Sequence, residues 1–150
     1  MSIVLNAAAA KGDWGKPLPP GRHRGIAQFM GYGSYTAAIA EVSVKGRDVR
    51  VHRLILATNC GHAVNPVQVA SQIEGSVAYG MSATLHGECT VENGRMKELN
   101  FDTYPILRLA EMPKVETVIV PSGGHEPHQH EPRMVADAIL RRVTAGAGRR

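Results

Sequence analysis

The sequence predicts an α+β fold, in which an antiparallel or mixed sheet packs against one long helix and a C-terminal helix. Two observations lead to this class. Stretches with alternating apolar and polar residues are grouped before residue 60 and again after residue 85, and one long helical pattern separates the two groups. Helices that followed every strand would instead indicate βαβ units, and the chain lacks that regular alternation.

The alternating stretches predict six strands, at residues 26–30, 36–44, 49–58, 87–92, 95–100 and 115–120. The segment 45–48 (KGRD) has the composition of a tight turn, so the second and third strands should form a hairpin. Asn93-Gly94 favours the positive backbone angles of a two-residue turn and should join the fourth strand to the fifth.

A long helix is predicted over residues 66–83. Asn65 can accept hydrogen bonds from free backbone N–H groups at its start, and Pro66 suits the first helical position. The apolar residues recur at helical spacing and define one face, made of Val69, Ile73, Val77 and Met81. Gln72 lies within this apolar turn, at a position expected to be buried. Gly75 and Gly80 should let another backbone or a flat ligand come close.

The remaining segments complete the domain organisation. Residues 2–10 favour a helix that ends near Gly12, and residues 132–143 favour a last amphipathic helix. Trp14 should anchor the Pro- and Gly-rich connection 14–22, and Gly61 should adopt a positive φ before the long helix. We expect a helical segment and linker at 1–22, a domain at 23–143 and a frayed tail at 144–150.

Composition narrows the function classes. The chain has 150 residues and a net charge of +4, and aromatic residues make up only 5% of it, so basic residues interleaved with stacking rings are lacking. This argues against nucleic-acid binding. Cys60 and Cys89 lack metal-pair spacing and are interpreted as buried, reduced thiols of a cytoplasmic protein, or of a periplasmic one exported with a partner. No apolar stretch approaches the roughly 20 residues of a membrane-spanning helix.

Five segments carry a family resemblance: GDWGKPLPPGRHRGIA (12–27), GSYTAAIAEVSV (33–44), the helix block 59–85, NFDTYPILRLAEMPKVETVIVPSGG (100–124) and Glu126-Pro127. In order and spacing they resemble the C-terminal part of the molybdopterin-binding subunit of molybdenum hydroxylases, the xanthine dehydrogenase and aldehyde oxidase family. The isoquinoline 1-oxidoreductase beta-subunit branch is especially similar. The resemblance implies an oxidoreductase that hydroxylates N-heterocycles or oxidises aldehydes, with water as the oxygen source.

The resemblance also implies roles for two residues. Gln72 matches the glutamine of the family's QxEG motif, which hydrogen-bonds the pterin of the cofactor, and a carboxamide offers the donors and the acceptor for that contact. Glu126 matches the glutamate that acts as the catalytic base. His125 stands where the family motif has a glycine, and Glu131-Pro132 is a second Glu-Pro pair that competes for the same alignment.

Histidines are dense beside Glu126, at His125, His128 and His130. Such a cluster has the ligand types of a zinc or nickel site. Prolines at 127 and 132 hinder convergence of the three rings on one point, so we interpret the segment as a polar surface loop and predict no metal ligands.

The resemblance implies molybdopterin as the cofactor of the complete enzyme. In the family, further segments that this chain lacks also bind the cofactor. The chain alone is therefore expected to bind no molybdopterin and to be inactive. Two cysteines also cannot hold an iron–sulfur cluster. The expected partners are the remaining molybdopterin-binding segments and an iron–sulfur subunit, or a second copy of the chain. The alternative is a non-catalytic assembly module that retains the fold.

Overall fold

The computed structural model describes residues 2–121, and its elements follow the predicted order. They are α1 (Ser2–Lys11), β1 (Arg22–Gly31), β2 (Ser34–Lys45), β3 (Asp48–Asn59), α2 (Pro66–Leu85), β4 (Val91–Glu92), β5 (Arg95–Met96), a 3-10 turn (Leu109–Glu111) and β6 (Lys114–Ile119). The predicted helix at 132–143 and the tail at 144–150 lie outside the described residues.

Four strands form one mixed sheet in the order β1-β2-β3-β6. The first three pair antiparallel through two tight hairpins, and β6 pairs parallel with β3 after the chain has passed through α2. Tyr32 and Gly33 both have positive φ, at 53° and 75°, which gives the β1–β2 turn the twist that the hairpin requires. The α+β class with a mixed sheet is therefore confirmed.

The core lies between α1 and one face of the sheet. Successive side chains of a strand point to opposite faces, and every second residue of β2 from Tyr35 to Glu41 is buried. The apolar core consists of Val4, Ala8, Tyr35, Ala37, Ile39, Ile55, Ala57 and Val120. At the end of α1, a Cβ added to Gly12 would lie 2.7 Å from Ile39 Cδ1 and 3.0 Å from the carbonyl oxygen of Ala8, so a larger residue here would force the buried Ile39 side chain to shift.

A row of charged side chains crosses the sheet beside the core. Arg24, Glu41 and Arg53 are register partners on β1, β2 and β3. Arg24 Nη2 donates to Glu41 Oε1 at 2.9 Å, and Arg53 Nε donates to Glu116 Oε1 at 2.8 Å. The hydrogen bond from Arg53, aided by Lys114, lowers the pKa of Glu116 to about 2. The network joins all four strands.

Arg53 and Arg24 also hold the chain that follows α1. Arg53 Nη2 donates to the carbonyl of Lys11 at 3.3 Å, and Arg24 Nη1 donates to the carbonyl of Asp13 at 2.6 Å. The last carbonyls of a helix have no partner within the helix, so the bond to Lys11 satisfies one carbonyl that α1 leaves open, and the bond to Asp13 holds the residues just after it. They fix the direction in which the chain leaves α1.

Some element lengths differ from the sequence prediction. β4 and β5 are two residues each rather than six, because Glu98 Oε2 accepts from the backbone N–H of Thr90 at 2.7 Å and replaces a ladder bond there. β1 begins at Arg22, since its pairing with Ser43 extends the hairpin. Trp14 is 48% exposed, so the prediction that it packs the connection down was wrong.

Candidate functional site

The chain enters α2 through two asparagine-centred turns. Asn59 Oδ1 accepts from the backbone N–H of Gly61 at 3.1 Å, and Gly61 has the predicted positive φ, at 79°. Asn65 Oδ1 accepts from the backbone N–H of Gln68 at 3.3 Å, and Pro66 is the first helical residue. The predicted helix start is thus confirmed, and it sets the rotation of α2 about its own axis.

One face of α2 is partly covered, and the helix contacts β6. Val77 and Met81 are buried, while Val69 and Ile73 are half-buried. These four residues are the predicted apolar face, which is confirmed. They decide which residues the helix presents on its other side.

The other face of α2 carries Gln72, which is exposed. The expectation of a buried position for this residue was wrong. Three more exposed residues lie at helical spacing from Gln72 and therefore share its face: Gln68, Ser76 and Tyr79. The phenol of Tyr79 is 83% exposed.

The two glycines of α2 leave free space above the helix. A Cβ added to Gly75 or Gly80 would meet no atom within 4 Å. Gly75 follows Gln72 by one turn, so the carboxamide borders a shallow, open stretch of backbone. Among the described residues, nothing covers the backbone at these two glycines.

A hydrogen bond attaches α2 to the segment that follows the small β4–β5 hairpin. Ser82 Oγ donates to the carbonyl of Ala78 at 2.6 Å and accepts from the backbone N–H of Leu107 at 2.9 Å. The attached segment exposes large apolar side chains: Leu99 is 80% exposed, Phe101 73% and Leu109 90%. Large apolar side chains left exposed within one segment are typical of a surface that another protein segment covers.

Other sequence predictions have mixed outcomes. Cys60 is half-buried and Cys89 is exposed, and both are unpaired, so the prediction of two buried thiols was wrong.

Glu126, Glu131 and the neighbouring histidines lie outside the described residues. Within residues 2–121, no three His, Cys, Asp or Glu side chains are grouped as metal ligands. The helices of this same part are all too short or too polar to cross a bilayer.

The family model of the molybdopterin cofactor-binding domain matches residues 6–113, and the chain belongs to this family. The match contains Gln72 and the whole of α2 but ends before Glu126. The family resemblance found in the sequence is confirmed.

Individual relatives agree with this assignment. The chain is 33% identical over 110 residues to a nicotinate dehydrogenase chain of Pseudomonas putida, covering 71% of this chain and 9% of that protein. It is 28% identical over 125 residues to the beta chain of isoquinoline 1-oxidoreductase from Brevundimonas diminuta, covering 79% and 16%. The crystal structure of quinoline 2-oxidoreductase from Pseudomonas putida superposes with a TM-score of 0.51 at 26% identity, covering 60% and 12%.

The chain thus spans between 9% and 16% of the length of these two curated relatives. Molybdopterin is the cofactor for which its domain family is named. The described residues fit such a group in one respect: the exposed carboxamide of Gln72 lies beside a helix stretch that has no side chain at Gly75.

Sequence reasoning found Gln72 from its motif but missed the exposure of its helix face. The repeat of polar residues at 68, 72 and 76 was the available signal.

Proposed function

We propose that the chain supplies one wall of the molybdopterin pocket in an oxidoreductase of the molybdenum hydroxylase type. The observation that supports this proposal most is the placement of Gln72. Its carboxamide is exposed on the face of α2 that the chain leaves open, and Gly75 keeps the adjacent backbone accessible. A residue that serves only packing would be covered by the rest of the fold.

The chemistry of the side chain suits this role. A carboxamide carries two N–H donors and an oxygen acceptor in one plane, so it can match the mixed donor and acceptor edge of a pterin. When bound, the cofactor would supply the redox chemistry through its molybdenum. In this proposal Gln72 binds and orients the pterin, and it exchanges no proton.

The proposed reaction is hydroxylation of an N-heterocycle or oxidation of an aldehyde, with water as the oxygen source. The names of the relatives support a heteroaromatic substrate, because nicotinate, isoquinoline and quinoline are all nitrogen heterocycles. We further propose that Glu126 is the base that takes up a proton during this reaction. Its residue type and its Glu126-Pro127 motif support that role.

The proposed active unit includes more protein than this chain. The remaining molybdopterin-binding segments and an iron–sulfur subunit would close the pocket and accept electrons. The exposed apolar side chains of Leu99, Phe101 and Leu109 support a covering partner of this kind. The same surface also favours the alternative function, a non-catalytic assembly module that pairs through this segment.

The test compares molybdenum and pterin content in two samples. The chain purified alone should carry far less than one equivalent of either, because one open helix face cannot offset the free energy lost on association. The complex reconstituted with the missing segments should carry about one equivalent of each. A reconstituted complex without pterin would refute the cofactor role and leave the assembly module as the function.

A further inference from the structure

The connection between α1 and β1 borders an open cavity of about 620 Å³. Its walls include Trp14, Lys16, Pro19, Pro20, Arg22 and His23, and none of the residues that line it is acidic. This cavity lies on a different part of the chain from the Gln72 face of α2. The proposed function assigns no role to it.

A buried arginine makes the cavity rigid. Arg24 has only 9% of its side chain exposed and donates to the carbonyls of Asp13 and Lys16, at 2.6 and 3.3 Å. Glu41 accepts from the same guanidinium at 2.9 Å, so the loop is attached to the sheet. A loop held in this way loses little conformational freedom when a ligand binds, which favours affinity.

The charge of the cavity is positive. Lys16 donates to Asp13 at 2.7 Å, so its charge is largely compensated. Arg22 and His23 form no ion pair with any residue in the 2–121 range. Arg22 also contributes, after burial, to lowering the pKa of the nearby His52, which is the effect of a positive local potential. Arg22 is therefore available for an anion.

An aromatic ring lies at the same cavity. The indole of Trp14 is 48% exposed, although an apolar ring of this size gains free energy when it is covered. Flat heterocycles stack on such rings with little dependence on their identity. An exposed ring at the same cavity as the unpaired cation of Arg22 is a suitable combination for a ligand that is aromatic at one end and anionic at the other.

We propose that this cavity binds a phosphorylated heteroaromatic compound of nucleoside monophosphate size. Its ring stacks on Trp14, and its phosphate contacts Arg22. Arg24 is a positioning residue, because it donates hydrogen bonds to the loop carbonyls and its charge is already paired with Glu41. The ligand therefore contacts two exposed side chains of the cavity, Trp14 and Arg22.

The chain contains one tryptophan, so it has one indole N–H signal in a nitrogen-correlated proton NMR spectrum, and this signal reports on the cavity. Adenosine monophosphate should shift the signal saturably, with a Kd in the micromolar to millimolar range. Inorganic phosphate and adenosine, titrated separately, should each bind on the order of tenfold more weakly.

The variant Arg22→Gln should weaken adenosine monophosphate binding on the order of tenfold. Arg22 is exposed, so this variant should remain folded. Arg95→Gln removes an exposed cation from the β4–β5 hairpin and is the matched control, which should keep the original Kd. The lack of a saturable shift would overturn the proposal. So would equal binding of inorganic phosphate alone, or equal weakening in both variants.

Discussion

The hydroxyl of Ser82 accepts a hydrogen bond from the backbone N–H of Leu107 at 2.9 Å, which ties α2 to the segment after the small hairpin. The same hydroxyl donates to the carbonyl of Ala78, so both of its hydrogen-bonding functions are used. Ser82 is buried. This contact links the helix that presents Gln72 to the segment that exposes Leu99, Phe101 and Leu109.

Ser82→Ala should destabilise the chain by about 1–3 kcal/mol, because the Leu107 N–H then loses its partner in a partly buried place. Thr84→Ala is the control, since the Thr84 hydroxyl donates only to the carbonyl of Gly80 and is exposed. It should change stability by less than about 0.5 kcal/mol. Urea unfolding measures both values. Equal stability of the two variants would show that the Ser82 contact does not hold the segment.

Glu41→Ala should be among the most destabilising single changes in this fold. It leaves the buried guanidinium of Arg24 without its acidic partner, which costs about 3–5 kcal/mol for a buried pair. Lys16→Ala breaks the exposed pair with Asp13 and should cost less than about 1 kcal/mol. Thermal or urea unfolding of the two variants checks the difference. Similar losses would mean that the charged row does not stabilise the sheet.

His52 should make stability depend on pH. Burial, followed by Arg22 and Arg50, lowers its pKa below the ordinary value of 6.5. The unfolded chain therefore takes up the proton more readily than the folded one, and stability should fall as the pH falls through 6.5 toward the lower folded pKa.

The check for His52 is the urea midpoint between about pH 7.5 and about pH 5.5. His52→Gln should flatten this dependence, although its bond to Ser43 is also altered. His62→Gln changes an exposed histidine and should leave the slope as it is. If the slope is the same in all three proteins, His52 does not cause it.

Glu126→Gln tests the proposed catalytic base in a complete complex. Cofactor content should be unchanged, while turnover should fall by at least ~10²-fold, as expected for loss of a general base. Glu131→Gln is the control and should be nearly silent. The reverse result would assign the base to Glu131, and activity retained in both variants would show that neither carboxylate is the base.

The sequence predicted best those features that depend on a few neighbouring residues. Asn65-Pro66 begins α2, and Asn93-Gly94 has the positive φ values of the predicted turn, at 50° and 76°. Such conformations are decided by the residue types in the turn itself. The helix extends to residue 85, two beyond the predicted end, because neither Thr84 nor Leu85 interrupts it, and Gly87 follows the C-cap residue His86.

Features set by tertiary neighbours were harder to predict. The alternation of residues 87–100 suggested long strands, but the Glu98 side chain takes the Thr90 N–H and shortens the ladder. The burial expected for Gln72 came from its apolar sequence neighbours, whereas the contact of α2 with β6 decides which face is covered. The motif identified Gln72 as a candidate, but periodicity could not reveal that the chain leaves this residue exposed.

Pterin content of the complete complex with Gln72→Ala tests the central claim most directly. Gln68→Ala is the matched control, because Gln68 is an exposed glutamine one turn earlier on the same helix face. We predict that Gln72→Ala lowers bound pterin, or weakens its retention during dialysis by about tenfold or more, as loss of a side chain that hydrogen-bonds the pterin would. Gln68→Ala should retain the wild-type content. Equal pterin content and retention in the wild type and both variants would contradict a cofactor contact by Gln72.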